Sequence, residues 1–315
     1  MSENRKPSEN ADVCVVGAGV AGGIVANSLS KKGHDVVMLE AGPRIREPNH
    51  EDRLDRMEKN LRPDRGNAWE EVHPRRTQGA YTESSPSNIN ATLHRLKAVG
   101  GTTLHWSAGC YRLHEKDFNM NSRYGLATDW PIDYEDLQPY YAEAESELGV
   151  AGEGDNPHIP REEPLPMDGH PPTHTDKLFK EACESLDIIT HNLPIAINTE
   201  AYDDRSQCLG YSTCRACPSG AKYTGDVHIQ KAENNGARVI DQAPVQRLEH
   251  DSDGEYIDTA VYATPDGSRY RQEADQFVIA CGGVETPRLL LLSESEQYPG
   301  GLANSSGKGG KHFFA

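Results

Sequence analysis

Three of the seven cysteines in this 315-residue chain fall within ten positions, in the stretch SQCLGYSTCRACPSGAKY at 206–223. Cys208, Cys214 and Cys217 are spaced Cys-x5-Cys-x2-Cys. Zinc usually takes two Cys-x-x-Cys knuckles, or one knuckle with two histidines. Here one knuckle has a third cysteine upstream, and His228, which could complete a set of four, lies inside a predicted helix. Three thiolates without an obvious fourth ligand suit a three-iron cluster, because sulfur-rich sites favour iron–sulfur chemistry. The other reading is a loop whose thiols bind nothing, and the residues leave all three open. The remaining cysteines, Cys14, Cys110, Cys183 and Cys281, read as small buried side chains. Seven, an odd number, does not suggest a disulfide scaffold.

A second group of residues could hold phosphate. Gly17, Gly19 and Gly22 make Gly-x-Gly-x-x-Gly directly after the apolar run DVCVV. In such a turn the first glycine permits the bend, the second lets a pyrophosphate approach the backbone, and the third packs helix on strand. The phosphates would sit on the helix N-terminus, where free N–H groups and the dipole favour anions. Glu40, 18 residues past Gly22, can accept hydrogen bonds from a ribose diol. The pattern alone does not choose between NAD and FAD.

These groups need elements to position them. DVCVV predicts a buried strand, VAGGIVANSLSKKGH a helix packed through Ile24, Val25 and Leu29, with Gly33 at its C-terminal cap. DVVMLEAG is the second strand, which makes a β-α-β unit and a parallel sheet. Residues 43–95 read as a long polar excursion, and YEDLQPYYAEAESELGV as a helix through Leu137, Tyr141 and Leu148. The proline-rich stretch 151–175 reads as a connecting loop and DKLFKEACESLDI as another helix. TGDVHIQKAENNGARVI predicts helix, glycine stop and strand; YIDTAVYATPDGSRYRQEAD a hairpin; FVIACGGVETPRLLLLS a strand, turn and helix.

The opening DVCVVGAGVAGGIVANSLSKKGHDVVMLEAG resembles that of the glucose–methanol–choline (GMC) oxidoreductases. Three later stretches agree in order: LKAVGGTTLHW resembles the family's double-glycine flavin loop, DWPIDYEDLQPYYAEAE the segment after it, and ACGGVETPRLLLLS the second family signature, with Ser293-Glu294 for its usual Ser-Gly. The resemblance runs from about residue 11 to the end. It implies an α/β fold, a Rossmann-like FAD domain interleaved with an incomplete substrate domain. The segments would be a tail at 1–10, FAD-binding parts at 11–150 and 223–315, and a substrate-domain segment with the cysteines at 151–222.

By the same resemblance FAD is held by Gly17, Gly19, Gly22, Glu40 and Ala41, by Gly100 and Gly101 through backbone approach, by the hydroxyls of Thr102 and Thr103, and by Ala280 and Gly282. Val245 would meet the adenine through its backbone, or is simply a strand residue. His105 stands where some members join the flavin covalently; otherwise it bonds nearby backbone. Trp106 replaces the commoner Asn and points to the dye-linked sugar and gluconate dehydrogenase branch. CLGYSTCRACPSGAKY resembles a segment that carries a three-iron (3Fe-4S) cluster in flavin-dependent sugar and polyol dehydrogenases, although its last spacing is one residue shorter. The implied activity is oxidation of a CH–OH group in a sugar, polyol or sugar acid, by hydride transfer to the flavin. An oxygen-using oxidase and an FAD-binding fragment without catalysis are the alternatives. The catalytic base is unassigned, because the C-terminal His pair of the family does not match any residue here; His312 sits in a GxHF-like stretch instead.

The net charge of -17, from 49 acidic against 32 basic residues, repels nucleic acid and anionic membranes. With 12 Lys to 20 Arg it suggests a halophilic protein whose carboxylates need salt screening. No stretch nears the ~20 apolar residues of a membrane helix. The polar start MSENRKPSENAD lacks a secretory core. A soluble cytoplasmic protein is expected, with a small or cytochrome-type electron-accepting subunit as the partner the resemblance implies.

Overall fold

The computed structural model of the chain describes residues 5–9, 11–45, 51, 54–55, 58–59, 62, 64, 95–210, 214 and 217–311. Most of the expected excursion at 43–95, and His312, lie outside the described residues. The chain forms two compact units, Met1–His105 with Thr224–Ala315, and Trp106–Tyr223.

The first unit is built on one six-stranded sheet. Its strands are β1 (Ala11–Val16), β2 (Val36–Leu39), β5 (Arg238–Ile240), β6 (Val245–His250), β7 (Ile257–Ala263) and β8 (Arg269–Ile279), in the order β5-β2-β1-β8-β7-β6. β5, β2, β1 and the second half of β8 are parallel. The first half of β8 pairs antiparallel with β7, and β7 with β6, so one long strand serves both halves of the sheet. The central strands read as near-continuous apolar runs because both faces are covered. Val13, Val15, Val36 and Met38 join one apolar cluster with Ala26, Ile229 and Ala232; Cys14, Val16, Val37 and Leu39 join the other with Tyr262 and Leu289.

Helix α1 (Val20–Lys31) connects β1 to β2. Its buried residues are Gly22, Gly23, Ala26 and Ser30, while Ile24, Val25 and Leu29, expected to carry the packing, are half-buried. The reason is steric. A Cβ on Gly22 would collide with the Gly17 carbonyl, and one on Gly23 would come within 3.1 Å of Ile229, so only small residues let the helix approach this closely. Gly33, at φ +91, follows the last turn and its N–H reaches the Ser30 carbonyl, as a left-handed C-terminal cap requires. Helix α6 (Asp226–Asn234) precedes β5, and α7 (Gly282–Leu292) follows β8.

The second unit holds α2 (Glu115–Phe118), α3 (Met120–Tyr124), α4 (Tyr134–Leu148), the two-residue strands β3 (Ala151–Gly152) and β4 (Met167–Asp168), and α5 (His174–Glu184). Reciprocal caps start the two longer helices: Asp133 with Asp136 for α4 and Thr173 with Asp176 for α5. The stretch 106–150, expected with the FAD-binding parts, belongs to this unit. Arg112 chelates Glu145 of α4 at 2.8 and 2.9 Å, and Arg205 donates to the Leu148 carbonyl at 2.8 Å. Among the described residues no helix is long and apolar enough to cross a membrane.

Candidate functional site

Local chemistry makes the turn between β1 and α1 a cradle. Gly17 adopts φ +104, and a Cβ there would lie 2.6 Å from the Ala280 carbonyl oxygen. Ala280 in turn donates its N–H to Val16 at 2.8 Å, which ties the end of β8 to this turn. Gly19 has open space where a Cβ would stand. It precedes a 12-residue helix whose first turn receives no side-chain cap, and such a terminus is suited to an anion.

Two further segments converge on the turn. Gly100, at φ +97, donates its N–H to the Ala18 carbonyl at 2.8 Å. Gly101 opens a 3-10 turn at Gly101–Leu104, and a Cβ on it would stand 3.1 Å from the Cα of Gly19. A Cβ on Gly225, just before α6, would stand 2.9 Å from the Gly100 carbonyl oxygen and 3.1 Å from the Val20 nitrogen. The Thr103 hydroxyl staples the two segments together, donating to the Gly100 carbonyl at 2.5 Å and accepting from the Gly225 N–H at 2.8 Å.

The hydroxyls of Thr102 and Thr103, expected to face a flavin, are therefore engaged with the backbone. Thr103 uses both its donor and an acceptor site, while Thr102 accepts from Leu96 N–H at 3.2 Å and keeps its proton to give.

Glu40 is buried at the end of β2. One carboxylate oxygen accepts from Ala18 N–H at 2.9 Å, the other from Gly42 N–H at 2.8 Å. Each oxygen retains a second lone pair for a ligand hydroxyl. Burial pushes its pKa up to about 7, against the lowering effect of those backbone N–H groups and of Lys97. Ala41 is half-buried beside it. Gly42 must be glycine, because a Cβ would overlap the Lys97 carbonyl.

The remaining residues are more dispersed. Gly282, at φ +76, opens α7. Val245 opens β6 opposite Tyr262 and packs its side chain on the cluster beneath β1 and β2. His105 ends the 3-10 turn with its N–H on the Thr102 carbonyl. Gly42 and Gly225 are site residues that sequence reasoning missed. The signals were the Glu-Ala-Gly that closes β2 and the Thr-Gly-Asp that opens α6.

In the second unit, Cys208, Cys214 and Cys217 line one cavity of about 420 Å³ together with His170 and Lys222. Cys214 is exposed and the other two are half-buried. Burial raises the Cys217 thiol, but the Ser219 hydroxyl and the surrounding backbone N–H groups outweigh it and hold the pKa below its ordinary value. Burial and the two neighbouring thiols push Cys214 up. Thiolates sharing one zinc would lie about 4 Å apart, given Zn–S bonds of ~2.3 Å. Among the described residues no such cysteine set forms within 4.8 Å, and His228 is buried in α6 of the other unit. A multinuclear cluster spreads its thiolates more widely and does not need that closeness. Of the other cysteines, Cys14 and Cys183 are buried, while Cys110 and Cys281 are half-buried, in departure from the expectation that all four are buried.

Comparisons with known proteins agree on one family. Residues 11–297 match the family model for GMC oxidoreductases. The chain is 37% identical to the fructose dehydrogenase large subunit of Gluconobacter japonicus, over 94% of its own length and 57% of that protein. It is 30% identical to 2-methyl-1,2-propanediol dehydrogenase of Mycolicibacterium austroafricanum, over 97% of the chain and 55% of the relative. Thus it spans about half the length of the curated relatives it matches. Among solved structures, formate oxidase superposes with a TM-score of 0.58 at 18% identity, over 91% of this chain and 48% of that one, which supports the fold. The chain belongs to the GMC oxidoreductase family.

Proposed function

We propose that this chain is the FAD-binding portion of a dehydrogenase that oxidises a CH–OH group in a sugar, polyol or sugar acid. GMC oxidoreductases bind FAD. The observation that carries the reading is the convergence of Gly19 at an uncapped helix N-terminus, Gly100–Gly101 against that turn, and buried Glu40 beneath it. In this reading α1 and the glycine turn take the pyrophosphate, Glu40 accepts from the ribose diol, and Gly100 and Gly101 let the isoalloxazine approach. His105 either bonds the flavin covalently or supports its loop. When bound, FAD supplies the hydride acceptor. The protein's part is to hold it and to exclude water; the catalytic base is not assigned to a residue of this chain.

Relatives named as dehydrogenases of fructose, a diol and gluconate support the substrate class. Two of them are named as the large subunit or the flavoprotein of their enzyme, which supports a partner subunit here. The finer reading is that Cys208, Cys214 and Cys217 hold a three-iron cluster; its support is that all three line one cavity. Iron and acid-labile sulfide assays on anaerobically purified protein test it. The absence of iron leaves the cysteines as a structural loop. A cytoplasmic, halophilic setting belongs to the same reading, and a requirement for molar salt in thermal unfolding tests the halophilic part.

The decisive experiment is FAD titration of the purified chain in high salt, followed by dye reduction with fructose, gluconate and a diol. One FAD per chain is expected. A folded chain that binds no FAD overturns the dinucleotide reading. FAD binding without dye reduction supports the second reading, an FAD-binding portion that lacks catalysis alone, favoured by the chain's span of only half its relatives' length. Peroxide formation would favour an oxygen-using oxidase.

A further inference from the structure

We propose that Glu153, Asp155 and His191, in the second unit, form a binding site for a first-row divalent cation such as Mn²⁺ or Zn²⁺. Among the described residues these three alone bring one ligand atom each within 4.8 Å of one another. The imidazole Nδ1 lies 4.0 Å from a Glu153 oxygen and 3.8 Å from an Asp155 oxygen. Both separations exceed hydrogen-bond reach. Both fit two metal–ligand bonds of about 2.1 Å meeting at one ion, which span at most ~4.2 Å.

The set differs from an ordinary patch of surface carboxylates in two respects. Its nitrogen ligand is sunk into the unit, with 18% of the His191 side chain exposed, and that ring directs Nδ1 at both acids. Its ligands also come from two chain segments fixed against each other. Ala151 and Ile195 exchange backbone hydrogen bonds at 2.8 and 2.9 Å, and Asn192 donates its N–H to Glu153 at 3.1 Å. Glu153 and His191 are therefore held in place, while Asp155, with 87% of its side chain exposed, is free to swing in and close the set.

The donor set selects the ion. One imidazole with two carboxylates suits Mn²⁺, Co²⁺ or Zn²⁺ better than Ca²⁺, which prefers an all-oxygen shell of higher number. Three protein ligands leave water in the remaining positions. The chain between Asp155 and His191 contains β4 and α5, so a bound ion would clip that excursion shut at its base. This proposal is independent of the FAD reading, since every residue lies in 106–223.

The test is Mn²⁺ titration of the full chain, reading the free-ion EPR signal in 1 M KCl to suppress diffuse binding to the acidic surface. Mn²⁺ is the probe because hard ions avoid the three thiols. One saturable site per chain is expected. Asp155→Asn should weaken it by at least about tenfold, as loss of an anionic ligand implies. His191→Gln should weaken Mn²⁺ and abolish competition by Zn²⁺, with circular dichroism checking the fold of both variants. Binding that never saturates near one ion per chain overturns the proposal. So does saturable binding that Asp155→Asn, whose side chain is exposed, leaves unchanged.

Discussion

The two units are held together by different means. In the first, β1 and β2 are aliphatic on both faces; Glu40 and Thr103 are buried around the glycine turn, and uncharged Ser30, Thr259, Gln272 and Ser293 are buried elsewhere in the unit. In the second, charged side chains occupy the interior. Glu145 sits between Arg112 and Arg161, whose side chains are 1% and 5% exposed, and Arg205 is buried under Tyr223 with donors on the Leu148 and Ala221 carbonyls. Apolar side chains are arranged in the opposite way: Leu178, Phe179, Leu186, Ile188, Ile189 and Leu193 of the second unit are all more than half exposed. A sheet buried on both faces derives its order from area, whereas this unit adds paired buried charges to a smaller set of buried apolar side chains such as Phe118, Val150, Met167 and Ile197.

The comparison breaks most sharply at Glu145. Replacing it with Ala leaves two buried guanidinium groups without their carboxylate. An uncompensated buried charge costs about 3–5 kcal/mol, more than the paired one contributes by being there. We expect Glu145→Ala to unfold 106–223 while the first unit keeps its far-ultraviolet signature and its FAD titration. Hydrogen exchange by segment distinguishes the two. Equal loss of protection in both units would show that the paired charges are not a local support.

Glu40 provides the corresponding test in the first unit, through pH. Its pKa is about 7 when folded, against 4.5 in an unfolded chain. The folded state therefore binds the proton more tightly, and stability falls as pH rises from about 4.5 through 7. The span corresponds to about 3 kcal/mol at 1.36 kcal/mol per unit. Other carboxylates add their own slopes, so the readout is the difference between the wild type and Glu40→Gln. We expect urea midpoints of FAD-free protein to show an extra decline between pH 5 and 7 that the variant lacks. Identical slopes would mean that water or the backbone N–H groups relieve the burial. FAD should reduce the effect, because a ribose diol that donates to the carboxylate favours its charged form.

The same contrast decides what could be read from the sequence. The β-α-β opening was legible because three glycines, an apolar run and an acid at fixed spacing have one common solution. Glycine gives no apolar signal, however, so Ile24 and Val25 took the weight that Gly22, Gly23 and Ala26 carry. Gly42 and Gly225 were invisible for a related reason. What demands glycine there is the carbonyl of Lys97 and the turn at Gly100, each distant in sequence. In the second unit the cysteine spacing was legible, but the Arg112–Glu145–Arg161 network was not, since nothing in a helix pattern announces that Glu145 faces inward. His191 meeting Glu153 across a 38-residue gap could only come from the fold.

Thr103 gives the smallest and most local test, at the junction where these long-range contacts meet. Valine has nearly the same shape but lacks the hydroxyl, so Thr103→Val removes the bond to the Gly100 carbonyl and leaves the Gly225 N–H unpaired in a buried site. Each loss costs about 1 kcal/mol, which for the orphaned donor is the lower end of the ~1–3 kcal/mol range. We expect a stability loss of about 2 kcal/mol in total, below that for Glu145→Ala. FAD affinity should fall with it, because the hydroxyl sets the spacing between the 100–101 turn and the start of α6. Serine keeps both bonds and loses only a methyl group, so Thr103→Ser should restore most of the affinity. If valine and serine weaken FAD equally, the methyl group rather than the hydroxyl is what Thr103 contributes to the cradle.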